Sequence, residues 1–238
     1  MPLPDGMDGA GLPPTFLAAL EACFDDAQPG RVMAALRADP LAATRAIRAA
    51  FAGAEAVTAL SATELVVRTG LTAGDRRGRR IDAMMAELRA AVFLHRLGFE
   101  KIVPLGADDL RPRADLTAER AGERWAVDAR CASRDLLPEG SFQRGPDGKP
   151  LPWPTLHAYL VHCHADKAEQ LRRTMEDERC TRAAVAVALD GPASGALMRQ
   201  EAVRAFLTAG APAGFHFGLM PGGLLSGPSP EDCLVPAP

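Results

Sequence analysis

Cysteine is sparse and scattered in this chain. Cys23, Cys131, Cys163, Cys180 and Cys233 are odd in number and contain no CxxC pair, which argues against a disulfide framework or a zinc ribbon and fits a reducing compartment. No apolar run reaches the roughly 18 residues that a membrane-spanning helix needs, and the opening MPLPDGMDG lacks the basic-then-apolar plan of a secretory signal. A cytoplasmic protein with no membrane partner is expected. Lysine is also rare: Lys101, Lys149 and Lys167 are the only lysines among 27 cations. With alanine equally in excess, that bias reads as GC-rich coding, so arginine abundance by itself does not argue for nucleic acid. A formal net charge of −3 likewise declares no polyanionic partner.

Several chemistries are missing as motifs. There is no Walker loop, and the glycines of GPASGAL and PGGLLSG lack the spacing and strand-to-helix setting of a phosphate cradle. His157, His162, Cys163 and His164 crowd into HAYLVHCH, but no two histidines there stand four apart, so a helix would not converge them on zinc. No family signature accompanies a cysteine nucleophile with histidine.

What is present is a globular composition: 238 residues, 47% hydrophobic and 24% charged, enough to bury a core without metal or disulfide staples. The segments PTFLAALEACFDD, GRVMAALRA, PLAATRAIRAAF and SATELVVRTG read as short helices, several opening on Pro or Ser, so residues 1–75 are taken as an N-terminal helical region. Between Arg80 and Gly98 runs the strongest helix, with Ile81, Met84, Met85, Leu88 and Val92 as one apolar stripe and Gly98 as its stop. The period then changes to strands at KIVPL, RADLTAER and RWAVDARC, followed by a long Gly- and Pro-rich loop over Ser133 to Pro154. A helix from about Thr155 to Asp177, a buried strand AAVAVAL, a helix around QEAVRAFLTAG and a last strand GFHFGLM complete a mixed α/β domain over 76–225. Residues 226–238 read as a flexible tail.

The charges are uneven. Arg76, Arg77, Arg79 and Arg80 crowd into DRRGRR just before the long helix; this is a solvated loop and helix start, or a set of phosphate contacts.

The hairpin carries the most specific signal. If it turns at Ala121 and Gly122, positions whose numbers add to 243 face each other, placing Asp115 opposite Asp128 and Glu119 opposite Arg124. Facing side chains have Cβ atoms about 4.5 to 5.5 Å apart and like charges so placed repel, so a cation is expected beside the two aspartates. Trp125, Val127, Ala129 and Cys131 then point to the core, and Ala126, Asp128 and Arg130 to the other face, which is either solvent or a site. In the first case Arg113 and Arg130 neutralise the aspartates on a wet surface.

These residues resemble the PD-(D/E)xK phosphodiesterase superfamily, the restriction-endonuclease-like fold. Its pattern is a helix bearing a glutamate, a strand, a hairpin with an Asp and then an Asp or Glu two residues before a Lys, and then a helix and another strand. Here Glu87 in AELRAAVFLHRLGFEKI, Asp115 in RPRADL, and Asp128 with Arg130 in VDAR take those places, over about Arg80 to Leu189. Pro112 stands displaced ahead of Asp115, and Arg130 replaces the lysine; arginine keeps the charge but cannot serve as a base. The resemblance implies a mixed central sheet flanked by helices, Mg2+ or Mn2+ held by Asp115, Asp128 and Glu87, and a scissile phosphate held by Arg130, or in its stead by Lys167 of HADKAEQL, with Gln170 one turn on. It implies cleavage of DNA; the alternative is a nuclease fold that has lost catalysis and serves as a binding or scaffold module, and a homodimer is compatible with both. In isolation Glu87 reads equally as a half-exposed surface acid, and Lys167 as a stem over apolar surface with its amine in water.

Overall fold

Helix starts and stops follow the local chemistry closely. The computed structural model describes residues 11–24, 30–106, 112–132, 143–144, 150–151, 166–189, 215–221, 223–225 and 233–236. Helices α1 (Pro14–Ala22), α2 (Gly30–Ala38), α3 (Pro40–Thr58) and α4 (Ala62–Arg68) form the N-terminal region. Asp39 opens α3 by accepting the Ala42 N–H at 3.0 Å ahead of Pro40, and Ser61 opens α4 in a reciprocal capping box with Glu64. The long helix α5 (Gly78–Arg96) ends where Gly98 turns to a φ of +81°, with Phe99 N–H reaching back to the Leu94 carbonyl.

The single apolar stripe expected on α5 is half the account. Ala86, Ala90 and Ala91 are buried as well as Ile81, Met84, Met85 and Leu88, because α2 and α3 cover one side while the sheet covers another. Small side chains let the helices approach: a Cβ on Gly53 of α3 would stand 3.0 Å from Val92 Cγ2. One core therefore runs from Phe16, Leu20 and Ile47 through α5 to Val127, Ala186 and Met220, so the N-terminal helices share the hydrophobic core of the sheet.

The sheet has the order β1 (Glu100–Pro104), β2 (Leu116–Arg120), β3 (Glu123–Ala132), β6 (Arg182–Leu189), β7 (Phe215–Pro221), β8 (Cys233–Pro236). β1, β2 and β3 are antiparallel neighbours, β3, β6 and β7 are parallel, and β8 returns antiparallel to β7. Parallel pairing requires a crossover, and residues 166–177 form helix α6 in the β3–β6 connection. Strand β6 is a continuous buried run from Ala183 to Ala188, as expected when both faces are covered. The turn expected at Ala121 and Gly122 has φ values of +51° and +80°, the pair of positive φ that a tight two-residue hairpin needs.

Two expectations are revised. The stretch read as one long loop carries a short antiparallel pair, β4 (Gln143–Arg144) and β5 (Pro150–Leu151). The segment read as a flexible tail contributes β8, whose Cys233 to Pro236 pair with Leu219 to His216, so the edge of the sheet at β7 is closed by main-chain pairing that no side-chain period announces. The helix expected around QEAVRAFLTAG, the first part of the one begun at Thr155, and the HAYLVHCH cluster lie outside the described residues. Among the described residues no single helix is long and apolar enough to cross a membrane.

Candidate functional site

The hairpin register is the one expected: Leu116 faces Val127, Glu119 faces Arg124 and Arg120 faces Glu123. Asp115 stands one residue before β2 begins. There the ladder has ended, and the Asp115 side chain takes up the next amide itself, Oδ2 accepting the Ala129 N–H at 2.6 Å. That bond brings the Asp115 carboxyl within the electrostatic field of the Asp128 carboxyl. The two aspartates thus share one face of the hairpin. α6 lies over that face and buries Ala126 and Asp128, while Asp115 and Arg130 are half-buried at its margin.

Asp128 is the hub. Lys167 Nζ of α6 lies 3.0 Å from its Oδ1, and Gln170 Nε2 donates to the same oxygen at 3.2 Å. Lys167 also donates to Gln170 Oε1 at 2.6 Å, and Gln170 donates to the Arg113 carbonyl. Three residues apart, Lys167 and Gln170 share one side of α6, and Thr174, a further turn on, accepts the Ala114 N–H at 2.8 Å. On the other oxygen, Arg130 Nε stands 3.0 Å from Asp128 Oδ2 while its Nη2 donates to Asp166 at 2.9 Å. The Lys167 amine is therefore committed to the carboxylate rather than to water. Arg113 does not neutralise the aspartates: its guanidinium donates to the carbonyls of Leu105 and Gly106, because the turn after β1 presents those oxygens to it.

The electrostatics follow from burial. Burial first, and then the Asp128 charge, pushes the Asp115 carboxyl well above the usual range. Burial raises Asp128 to about 6, with Arg130 opposing it. Glu87 is also driven well upward, by burial first and then by the charges of Asp115 and Asp128, while Arg80 pulls the other way. Glu87, half-buried on α5, therefore lies within the field of both aspartates. Such strongly shifted, mutually interacting acids with a specific cation mark functional sites more often than plain surface does.

No family model, curated protein or solved structure gives a significant match to this chain.

The donor chemistry at Asp115 and Asp128 suits a hard divalent ion such as magnesium, which prefers carboxylate oxygens. The arrangement is a pair and not a ligand cage, for among the described residues no three His, Cys, Asp or Glu side chains are grouped to hold a metal. Charge compensation at Asp128 comes from Lys167 and Arg130. Asp166 was missed by sequence reasoning; it adjoins Lys167, but nothing in its spacing points to Arg130. Gln170 was legible only as a neighbour of Lys167 on α6. Arg76, Arg77, Arg79 and Arg80 are all exposed at the start of α5, with Arg80 donating to the Gly70 carbonyl at 3.1 Å.

Proposed function

We propose that the protein is a metal-dependent nuclease-like hydrolase of phosphodiester bonds in DNA, with a restriction-endonuclease-like core formed by α5, β1, β2, β3, α6 and β6. The observation that carries this reading is Lys167 Nζ at 3.0 Å from Asp128 Oδ1, with Asp128 sharing its face with Asp115. It is the constellation the resemblance implies, with the cation supplied from α6 instead of the position two residues after the acid. The succession of elements and the antiparallel hairpin followed by a parallel strand agree with it.

In this reading Asp115 and Asp128 would hold a divalent ion, with Glu87 assisting directly or through a water. Magnesium or manganese, when bound, lowers the pKa of the attacking water and neutralises charge on the phosphate. The chain's own residues do the rest. Lys167 presents a compact ammonium beside Asp128 and stabilises charge developing on the scissile phosphate. Gln170 fixes that ammonium through its Oε1 while anchoring itself on the Arg113 carbonyl and Asp128. Arg130, held between Asp128 and Asp166, positions the acid and contributes charge without exchanging a proton. The test is cleavage of plasmid and single-stranded DNA with magnesium and with manganese by the wild type and by Asp128→Ala. Cleavage that Asp128→Ala abolishes supports the reading; a folded wild type that cleaves neither substrate in either metal overturns it.

One observation favours a second reading, a nuclease fold that binds without cutting: Arg130 already occupies one oxygen of Asp128. Under that reading neither magnesium nor manganese raises the melting temperature, because nothing in the folded state takes up the ion.

A further inference from the structure

Four exposed arginines crowd the start of α5. Arg76, Arg77, Arg79 and Arg80 are exposed, the last two within the first turn of α5, which carries no acid, so the positive end of the helix dipole adds to their charge. The acids of the same stretch are turned to internal work: Asp75 accepts from the Thr72 N–H at 2.8 Å, and buried Asp82 accepts the Arg31 and Val32 N–H groups at the start of α2. The Arg80 guanidinium is fixed to the Gly70 carbonyl, two residues beyond exposed Arg68. A Cβ placed on Gly106 would find Arg68 Cδ at 3.5 Å and Arg113 Nη2 at 3.9 Å. The Arg113 carbonyl is in turn held by Gln170, which bonds Asp128. Arg80, Arg68 and Arg113 thus succeed one another from the start of α5 to the turn after β1, where the guanidinium of Arg113 stays on the Leu105 and Gly106 carbonyls and its own carbonyl meets Gln170 beside Asp128.

We infer that Arg68, Arg76, Arg77, Arg79 and Arg80 form a track for the phosphate backbone of duplex DNA that leads it to Asp115 and Asp128. The inference rests on the proposed nuclease reading for its destination but not for the binding itself. Guanidinium groups contact phosphates without reading sequence. The aromatic rings whose exposure is described, Phe16, Phe24, Phe51, Phe93, Phe99, Trp125 and Phe217, are all buried, so none of these is open to stack an unpaired base, the contact that single-strand binding uses.

The test is fluorescence anisotropy of a labelled duplex oligonucleotide over a salt series in EDTA, where cleavage cannot contribute. The full chain is compared with Arg76→Gln/Arg77→Gln, with the Gln replacement of all four arginines from 76 to 80, and with the corresponding Lys replacements. Every phosphate that is no longer neutralised lowers the slope of log affinity against log salt by about 0.9, so the double variant flattens it by roughly two and the quadruple further, while the Lys set keeps it. Far-ultraviolet circular dichroism confirms that each variant folds, and the double variant decides the matter if the quadruple does not. An unchanged slope in the double variant, or stronger binding to a single strand than to the duplex, overturns the track. Arginine-dependent duplex binding without cleavage in magnesium or manganese would remove the nuclease reading and leave the track standing. Cleavage with an unchanged slope would do the reverse.

Discussion

The Lys167 ammonium lies 3.0 Å from the Asp128 carboxylate and is hydrogen-bonded to Gln170, whereas Arg130, two residues along the strand from Asp128, is shared with Asp166. The cation that the motif places on the strand is therefore matched by one from the following helix, and the two differ in freedom and in chemistry.

If Lys167 stabilises the scissile phosphate, Lys167→Ala lowers the metal-dependent cleavage rate by on the order of a hundredfold, the cost of removing one donor that stabilises the transition state. Arg130→Lys stays near the wild-type rate, because the compact cation is already supplied. Initial rates of plasmid nicking separate these outcomes. A large gain from Arg130→Lys with little effect of Lys167→Ala would return the catalytic role to the strand position.

Asp128 predicts a pH signature in metal-free protein. Burial raises its folded-state pKa from 3.8 to about 6. A group raised in this way adds stability that is fully present below its unfolded value and is lost as pH rises through its folded value. The stability of the wild type relative to Asp128→Asn should therefore decline from about pH 4 to beyond pH 6, as read from urea midpoints. Asp115 and Glu87 are pushed in the same direction. A difference that grows with pH over this window would contradict the burial argument.

Gly218 of β7 faces the α5 side of the sheet, and a Cβ there would fall 2.8 Å from Phe93 Cε1 and 3.4 Å from Ala186 Cα. Phe93 is fully buried and cannot swing away. Gly218→Ala should cost about 1–3 kcal/mol, the usual penalty for overpacking, and Phe93→Leu should recover part of it in the double variant. Additive losses in denaturant unfolding would show that the two residues do not touch in this way.

Asp82 is a buried acid of a different kind. It accepts the Arg31 N–H at 2.7 Å and the Val32 N–H at 3.0 Å, capping α2 from another helix. Asp82→Ala should destabilise the fold by about 1–2 kcal/mol, in the range of a removed cap, while the stabilisation by magnesium stays as in the wild type. Disappearance of the magnesium response would tie this acid to the metal site.

The backbone plan was legible in the residues because it rests on local causes. The period change after Gly98, the Ala121–Gly122 turn and the alternation of Trp125, Val127, Ala129 and Cys131 give the hairpin and its register, since a side-chain period of two and a two-residue turn admit one pairing that buries the apolar set. The facing of Asp115 and Asp128 follows from that register alone. What the order of residues left open was decided at long range. Whether Lys167 reaches water or Asp128, and whether Arg130 serves Asp128, Asp166 or both, depends on where the crossover between two parallel strands lays α6 over the sheet. The burial that drives Asp115, Asp128 and Glu87 upward depends on how α5 and α6 are laid against the sheet, which no local pattern in the sequence sets. Likewise β8 exists because the open edge of β7 offers main-chain donors and acceptors, which leave no mark in side-chain periodicity.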